Sequence, residues 1–534
     1  MATRGCHYIF FIGGSGARAY KAFLHACASG AVPVDEIRVM LLDADSHNAA
    51  CTECVELYRL YRWHHNMVQG KLTALKSGER RKVGAFHAFH CDVRMYHEQA
   101  ISPVESSDRN LSMVVRGTPG GDRALRWFYN EEERQQDLLN GFYAHPNIGC
   151  IFFRNFNSSN PAQKAKFEQC LEDIAADLRS GQDVRVVICG SLFGGTGAAG
   201  IPTVLNMVSN HCRTQKISED LMRLLHFGGV LLTPYFKVSE KPEKDGNITI
   251  DSDAFLSNTK AALQYYQFTD EFERIYLVGQ EDPELVNPEY KDGGAAQKNK
   301  PHIVELFAAM GIKDFLCGCP GSDKILGKVQ VQILPKTPKD PLSWYSDSFD
   351  PDFQVFADML RAQTLLEAGI YPYIEQRDAE SGVFSGMSQW FKVFNMRRFS
   401  MEDESSDTVS MREYSERFLD WMYQIQHQYS GKDMIRNGDV ALCGDAIEAV
   451  EDCVQKRKNK GRNPTNGDKE RPNYFEIVTR FNDTVEMFKN MGFLVETALD
   501  LISALGVVPK AISRMGAGGL FIWLLKWASY KKAP

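Results

Sequence analysis

The sequence predicts an α/β protein whose central sheet is doubly wound and mainly parallel. Short apolar runs, rich in Val and Ile, alternate with amphipathic helical patterns between residues 8 and 278. Strands that are buried on both faces of a parallel sheet have this near-continuous apolar character. The runs are YIFFI at 8–12, IRVMLL at 37–42, VRVVIC at 184–189, GVLLTPYF at 229–236 and RIYLV at 274–278.

The composition is typical of an ordinary globular protein with more than one domain. The 534 residues are 44% hydrophobic and 24% charged, which excludes a disordered chain. A net charge of −7 gives no overall attraction to nucleic acid, so we expect no nucleic-acid partner. The 13 cysteines lack a disulfide-type spacing and the N-terminus lacks a signal-peptide pattern, which predicts a cytoplasmic location.

Beyond a first domain at 1–300, the sequence predicts four further segments. HIVELFAAMGIKDFL predicts a central connecting helix at 301–316, and KVQVQIL at 328–334 predicts a strand of a second, α+β domain at 317–454. The polar, Gly- and Pro-rich stretch at 455–473 predicts a linker or loop. Residues 474–534 predict a helical C-terminal extension.

Three glycine-rich or acidic turns follow predicted strands, at the sheet edge where doubly wound folds bind ligands. Glycine lets backbone N–H groups approach a phosphate, and the N-terminus of the following helix presents unpaired donors to the anion. One such turn is as compatible with a plain tight turn, but two on one sheet edge favour a phosphate chain held from two sides. The candidates are Gly13, Gly14, Ser15 and Gly16 in the first turn, Asp43 and Asp45 in the second, and Gly194, Gly195, Thr196 and Gly197 in the third.

The third turn resembles the signature loop of the tubulin and FtsZ superfamily, G-G-G-T-G-S/T-G. GGTGAAGIP matches its central G-G-T-G and a later proline, Pro202. Phe193 replaces the first glycine of the family loop, and Ala199 replaces the last. These departures leave the part of the loop that wraps the phosphates.

Further motifs resemble the same superfamily, in the same order along about 300 residues. FIGGSGARA stands at the first phosphate loop, and LLDADSHN at the FtsZ stretch N-T-D-A-Q. By this resemblance, Gly120 and Gly121 belong to a loop that senses the γ-phosphate, and Glu240 to the loop near the ribose. Asn299 is placed like the asparagine that reads the purine edge, with Gln280 in place of a second one. The pattern is closer to divergent bacterial tubulin-like proteins than to division FtsZ.

The resemblance implies a GTPase that self-associates into filaments, with GTP or GDP and Mg²⁺ as ligands. In this family, an acidic loop after the central helix completes the site of the neighbouring subunit. No N-x-D-F-A-D loop follows Leu316, so the candidate catalytic carboxylates are Asp314 and, in SDSFDPDFQVFAD, Asp350 and Asp352. Each of them is also compatible with solvated surface or helix capping. An assembly scaffold that binds nucleotide without hydrolysis is therefore an alternative.

Other chemistries remain alternatives. The stretch from Gly14 to Ala19 satisfies G-x-G-x-x-A, and Asp43 or Asp45 could hold a ribose hydroxyl, as in an NAD-dependent oxidoreductase. That interpretation leaves the third turn unexplained. Cys51 and Cys54 with the histidines at 64–65 could be imagined as zinc ligands, but CTECVELYRLYRW predicts a helix and no second CxxC follows.

The C-terminal segment GAGGLFIWLLKWASYKKAP is strongly apolar. Residues 515–525 carry no charge but are too few to span a bilayer, which needs about 20 residues. Trp523 and Trp527 beside lysines suit a peripheral membrane anchor. The alternatives are a helix that packs on its own domain and one that docks on a protein partner.

Overall fold

The computed structural model describes most of the N-terminal half and selected helices beyond it. The chain forms two compact units, of which the first comprises residues 1–24, 33–58 and 92–338 and the second comprises 25–32, 59–91 and 339–534. The described residues are 5–77, 87–104, 107–154, 161–238, 253–268, 271–281, 284–287, 299–318, 329–334, 350–365, 407–428, 510–514 and 516–530.

A seven-stranded sheet in which every pairing is parallel forms the centre of the first unit. The described strands are β1 Cys6–Ile12, β2 Glu36–Leu42, β3 Asp92–Met95, β4 Val184–Ser191, β5 Leu225–Leu232, β6 Phe236–Val238, β7 Arg274–Gln280, β8 Glu284–Asn287 and β9 Val329–Leu334. The order in the sheet is β3-β2-β1-β4-β5-β7-β9, and β6 pairs separately with β8. The α/β prediction with a parallel sheet is confirmed, and the order is Rossmann-like.

Helices cover both faces of this sheet. Successive strand residues point to opposite faces, and in β1 both faces are packed. Phe10 meets Phe167 edge-on at 6.3 Å, whereas Phe11 stacks on Tyr20 at 4.7 Å between ring centroids. Taken over both units, the described helices are α1 Gly13–Ser29, α2 Ala49–Thr73, α3 Leu111–Val114, α4 Gly121–Phe128, α5 Glu131–Gln135, α6 Pro146–Arg154, α7 Pro161–Arg179, α8 Gly195–Thr214, α9 Glu219–Met222, α10 Asp253–Phe268 and α11 Ile303–Cys317, and, in the second unit, α12 Val355–Leu365, α13 Asp407–Gln428, α14 Lys510–Ser513 and α15 Gly516–Tyr530.

The topological switch point lies between β1 and β4. From β1 the chain builds the sheet toward β3, and from β4 it builds the sheet the other way. Ile12 at the end of β1 is in register with Gly190 near the end of β4. The turns that follow these two strands therefore lie side by side, which is where folds of this class form a ligand crevice.

The helix predicted at 301–316 is present as α11, which is held at both ends, and its role as a connection between domains stays a prediction. His302 and Glu305 form a capping box at its N-terminus. At its C-terminus, Arg185 of β4 donates hydrogen bonds to the carbonyl oxygens of Phe315 (3.0 Å), Leu316 (2.7 Å) and Gly318. A cation placed on these carbonyl groups also complements the negative end of the helix dipole.

The strand predicted at 328–334 has a different partner from the one expected. It was expected in a second domain, but it forms β9, the edge strand of the central sheet, and pairs with β7 from Ile275 and Val329 onward. Periodicity identifies a strand but not its neighbour in the sheet, and the strand at 328–334 was therefore predicted in the wrong domain. The predicted domain boundaries stay predictions, and the predicted linker at 455–473 lies outside the described residues.

The described residues of the second unit form helices and short turns around an aromatic core. His64 lies 5.0 Å from the ring of Phe89 and 5.1 Å from that of Tyr414, and Phe521 of α15 lies 5.8 Å from Phe89. The apolar residues from Leu520 to Leu525 are buried there, apart from the half-buried Trp523. Of the tail alternatives, packing on its own domain is the one observed. Within the described part of the chain, no helix is long and apolar enough to cross a membrane.

Candidate functional site

A cleft of about 150 Å³ opens at the carboxyl ends of β1, β2 and β4. It joins both predicted glycine turns, the predicted aspartates and Asn299, and it includes residues that the sequence analysis did not single out. The lining residues are Gly13, Gly14, Ser15, Arg18, Asp43, Asp45, Asn48, Ala50, Asn140, Gly141, Phe142, Tyr143, Ala144, Ser191, Phe193, Gly194, Gly195, Thr196, Gly197, Phe236, Phe255 and Asn299.

The N-termini of α1 and α8 meet in this cleft. Helix α1 begins at Gly13 directly after β1, and α8 begins at Gly195 after an N-cap, Gly194, that makes no side-chain cap. Gly13 has a left-handed φ of +77°, and a Cβ built on it would lie 3.3 Å from the backbone nitrogen of Gly197. Neither helix has an acidic residue in its first turn. Two sets of unpaired N–H donors thus face one space, an arrangement suited to an anion.

The glycines of the third turn also serve packing. A Cβ on Gly195 would lie 2.6 Å from Cβ of Phe142, and one on Gly197 would lie 2.5 Å from the carbonyl oxygen of Ser191. Gly14 differs, because a Cβ there would meet only Oδ2 of Asp43, at 3.9 Å. Gly14 therefore presents bare backbone to open space in the cleft.

Asp43 and Asp45 lie at the end of β2 and are both buried. Asp43 accepts hydrogen bonds from the backbone of Asp45 (3.3 Å), from Nδ2 of Asn48 (2.8 Å) and from Sγ of Cys51 (3.6 Å). Burial and the neighbouring Asp45 carboxylate raise the pKa of Asp43 to about 7. Asp43 is therefore partly protonated near neutral pH.

An aromatic wall of Phe193, Phe236 and Phe255 closes another side of the cleft. The ring of Phe193 lies 4.8 Å from that of Phe255 and 5.4 Å from that of Phe236. Phe193 is the residue that replaces the first glycine of the tubulin and FtsZ loop, and here its side chain is part of this buried cluster. Such a wall supplies flat apolar surface to a ligand that also contacts the glycine turns.

Arg18 is a lining residue that the sequence analysis missed. It stands one turn into α1, and its guanidinium is held by Glu305 of α11 at 2.7 Å and by Tyr235 at 2.8 Å. Its position three residues after Ser15, on the face that follows the glycine turn, is the signal that could have identified it.

The predicted γ-phosphate loop does not line the cleft. Gly120 is the left-handed N-cap of α4, with a φ of 76°, and Gly121 packs against Val115. Residues 140–144 line the cleft instead. Local turn chemistry accounts for Gly120 and Gly121, and motif order alone did not show which loop reaches the site. Glu240 lies outside the described residues, and Gln280 is buried at the end of β7 away from the lining.

Asp314 lies at the opposite end of α11 from the cleft, about 16 Å along the helix axis from Ile303. It pairs with Arg274 at 3.2 Å and accepts a hydrogen bond from the hydroxyl of Tyr276 at 2.5 Å. Since Arg274 begins β7, Asp314 stands at the amino edge of the parallel sheet.

The other two candidate carboxylates belong to the second unit. Asp350 caps the 3₁₀ helix Pro351–Gln354 by accepting a hydrogen bond from the backbone of Asp352 at 2.9 Å. Helix capping, the alternative to a catalytic role, is therefore the contact that Asp350 makes.

The imagined zinc ligands lie in α2, as the helical pattern predicted. Burial lowers the pKa of His64 to about 4, which keeps its imidazole neutral within the aromatic core. Among the described residues, no group of three or more His, Cys, Asp or Glu side chains is arranged to hold a metal ion.

Compared with protein-family models, with curated proteins and with solved structures, the chain gives no match.

Proposed function

We propose that this chain is a GTP-binding protein of the tubulin and FtsZ kind that assembles head to tail into filaments. The observation that carries the proposal is the meeting of two helix N-termini at the switch point, where Gly13 approaches Thr196 and Gly197. Two such N-termini can share the charge of one polyphosphate. A dinucleotide bound through a single glycine turn needs only the first of them.

In this proposal the phosphates lie between the turns at 13–16 and 194–197. Backbone N–H groups donate to the phosphate oxygens, and the hydroxyl of Thr196 adds a further donor. The aromatic wall offers a face for the purine, and Asn299 offers an amide to its edge. All of these residues except Gly16, which packs against the carbonyl oxygen of Cys189 and the backbone of Phe11, line the same cleft, and this is the support for the assignment.

The cleft also suits a magnesium ion that accompanies the nucleotide. Mg²⁺ usually takes one or two carboxylates and completes its shell with phosphate oxygens and water. Asp43 and Asp45 could supply the carboxylates, and Thr196 a hydroxyl oxygen. Such an ion offsets phosphate charge in hydrolysis.

The position of Asp314 supports completion of the site by a neighbour. The cleft is at the carboxyl edge of the sheet and Asp314 is at the amino edge, about 20 Å away along β7. Head-to-tail stacking brings the amino edge of one subunit to the carboxyl edge of the next, so Asp314 is the carboxylate we assign to orienting water. A scaffold without turnover needs the same stacking but not this carboxylate.

A second candidate function is NAD binding, which one observation favours. Asp43 directly follows β2 in a Rossmann-like sheet, the position at which an acidic residue holds the ribose of NAD. In that case the second glycine turn has no ligand to hold.

Calorimetry with GTP, ATP and NAD tests the proposal. We expect GTP to bind preferentially, and a preference for NAD would overturn it. G14A adds a methyl group to open space in the cleft, so we expect at least a tenfold loss of GTP affinity without loss of thermal stability. G70A is the matched control, because Gly70 lies in α2 with nothing within 4 Å of an added Cβ.

A further inference from the structure

Arg18 is a buried cation on the wall of the cleft. Only 6% of the residue is exposed, yet it lines the cleft, and it is the single Lys or Arg among the lining residues that the structure describes. Burial of a guanidinium requires compensating partners. The hydrogen bonds of Arg18 within the protein show which of its N–H donors are already used.

Protein groups occupy one side of the guanidinium. Nε donates to Oε1 of Glu305 at 2.7 Å, and Nη2 donates to Oγ of Ser15 at 3.1 Å and to the hydroxyl of Tyr235 at 2.8 Å. The Tyr235 hydroxyl in turn donates to Glu305 at 3.0 Å. The guanidinium carbon also lies 5.0 Å from the ring centroid of Phe236. These contacts fix the plane of the guanidinium.

Nη1 remains for a ligand. Arginine has five N–H donors, and the hydrogen bonds above use those on Nε and Nη2. Among the described residues, Nη1 has no hydrogen-bond partner. It belongs to a charged, nearly fully buried side chain that lines the cleft beside Ser15, in the first turn of α1.

We infer that Arg18 binds an oxygen of the ligand's phosphate chain through Nη1, next to the N-terminus of α1. This inference rests on the proposed function and names a residue that selects the anionic part of the ligand. Positive charge and paired N–H groups suit a phosphate oxygen better than a neutral base edge. Glu305 balances the charge and aims the guanidinium, so it is a positioning residue.

Three Arg18 variants and a control test this inference by calorimetry with GTP, guanosine and inorganic triphosphate. R18Q alone leaves Glu305 buried without its counter-charge, so R18Q/E305Q is made as well, since two amides can replace the ion pair. R18K keeps the charge but loses the planar fork. K21Q is the matched control, because it removes a cation one turn further along α1 that pairs with Glu53.

We expect R18Q/E305Q to weaken GTP and triphosphate binding at least tenfold and to leave guanosine binding unchanged. The affinity of R18K for GTP and triphosphate should lie between those of this variant and the wild type, and the affinity of K21Q should match that of the wild type. A folded R18Q/E305Q variant that binds GTP as tightly as the wild type would overturn the role of Arg18 but not the proposed function. A wild-type protein that binds neither GTP nor triphosphate would overturn the proposed function, and this inference with it.

Discussion

At the scale of single residues, Asp43 makes the candidate site sensitive to pH. Its pKa of about 7 is raised above the ordinary value of 3.8 by burial and by Asp45. The stability linked to this proton is therefore full below about pH 3.8 and is lost as pH rises through 7. Without Mg²⁺, the phosphate placed here by the proposed function adds negative charge beside Asp43, so nucleotide binding favours the protonated form, whereas a Mg²⁺ ion held by Asp43 requires its carboxylate.

In buffer that contains EDTA and no Mg²⁺, we expect the wild-type affinity for GTP to fall between pH 6 and pH 8 more steeply than that of D43N. The difference between the two proteins isolates Asp43 from the titration of the nucleotide itself. D45N serves as the second comparison. Loss of the Asp45 charge should lower the pKa of Asp43 and so move the midpoint of the affinity change to lower pH than in the wild type. Calorimetric titrations at pH 6, 7 and 8 measure this, and parallel curves for wild type and D43N would contradict it.

At the scale of secondary structure, α15 is a core helix of the second unit. Leu524 is fully buried, so L524A should lower the free energy of unfolding by about 2–5 kcal/mol, through lost burial and a residual cavity. R514A is the control, since Arg514 is exposed next to α14. Chemical denaturation of the full chain gives both values.

The same burial predicts the behaviour of the tail with lipid. Because the apolar side chains at 520–522 and 524–525 are buried, we expect the full chain to stay in the aqueous fraction when floated with liposomes. Flotation of the intact, folded chain with the liposomes would instead support the peripheral anchor.

At the scale of the whole molecule, the polarity of the sheet predicts polar assembly. The cleft and Asp314 stand at opposite edges of one parallel sheet, and a contact between unlike edges extends into a filament when its rotation does not close a ring. We expect filaments in the electron microscope with GTP or a slowly hydrolysed analogue. A protein that stays monomeric at high concentration with nucleotide would contradict this expectation.

The catalytic part of this expectation depends on one carboxylate. D314N should reduce GTP turnover with nucleotide binding retained, whereas D350A should leave turnover unchanged and cost about 0.5–2 kcal/mol of stability, because it removes the side-chain cap. Turnover that is unaffected in D314N would favour the other carboxylates, or a scaffold if the wild type also shows no turnover.

The sequence by itself determined the α/β class, five of the central strands, the helix α11 and the positions of both glycine turns. These features depend on local patterns: buried parallel strands are continuous apolar runs, and their carboxyl ends must share one edge. The sequence therefore placed the turns at 13–16 and 194–197 on one sheet edge, whereas the approach of Gly13 to Gly197 follows from the pairing of β1 with β4.

Only the tertiary structure decided the partner of β9, the burial of α15 and the network of Arg18. It also decided that residues 140–144, and not Gly120 and Gly121, line the cleft. Arg18 and Glu305 are 287 residues apart, and each alone has the pattern of an ordinary helical charge. Contacts of this kind depend on how the strands are ordered and how helices cover them. Local periodicity predicts neither the order of the strands nor the helices that cover them, because it indicates which side of an element is buried and not which residues bury it.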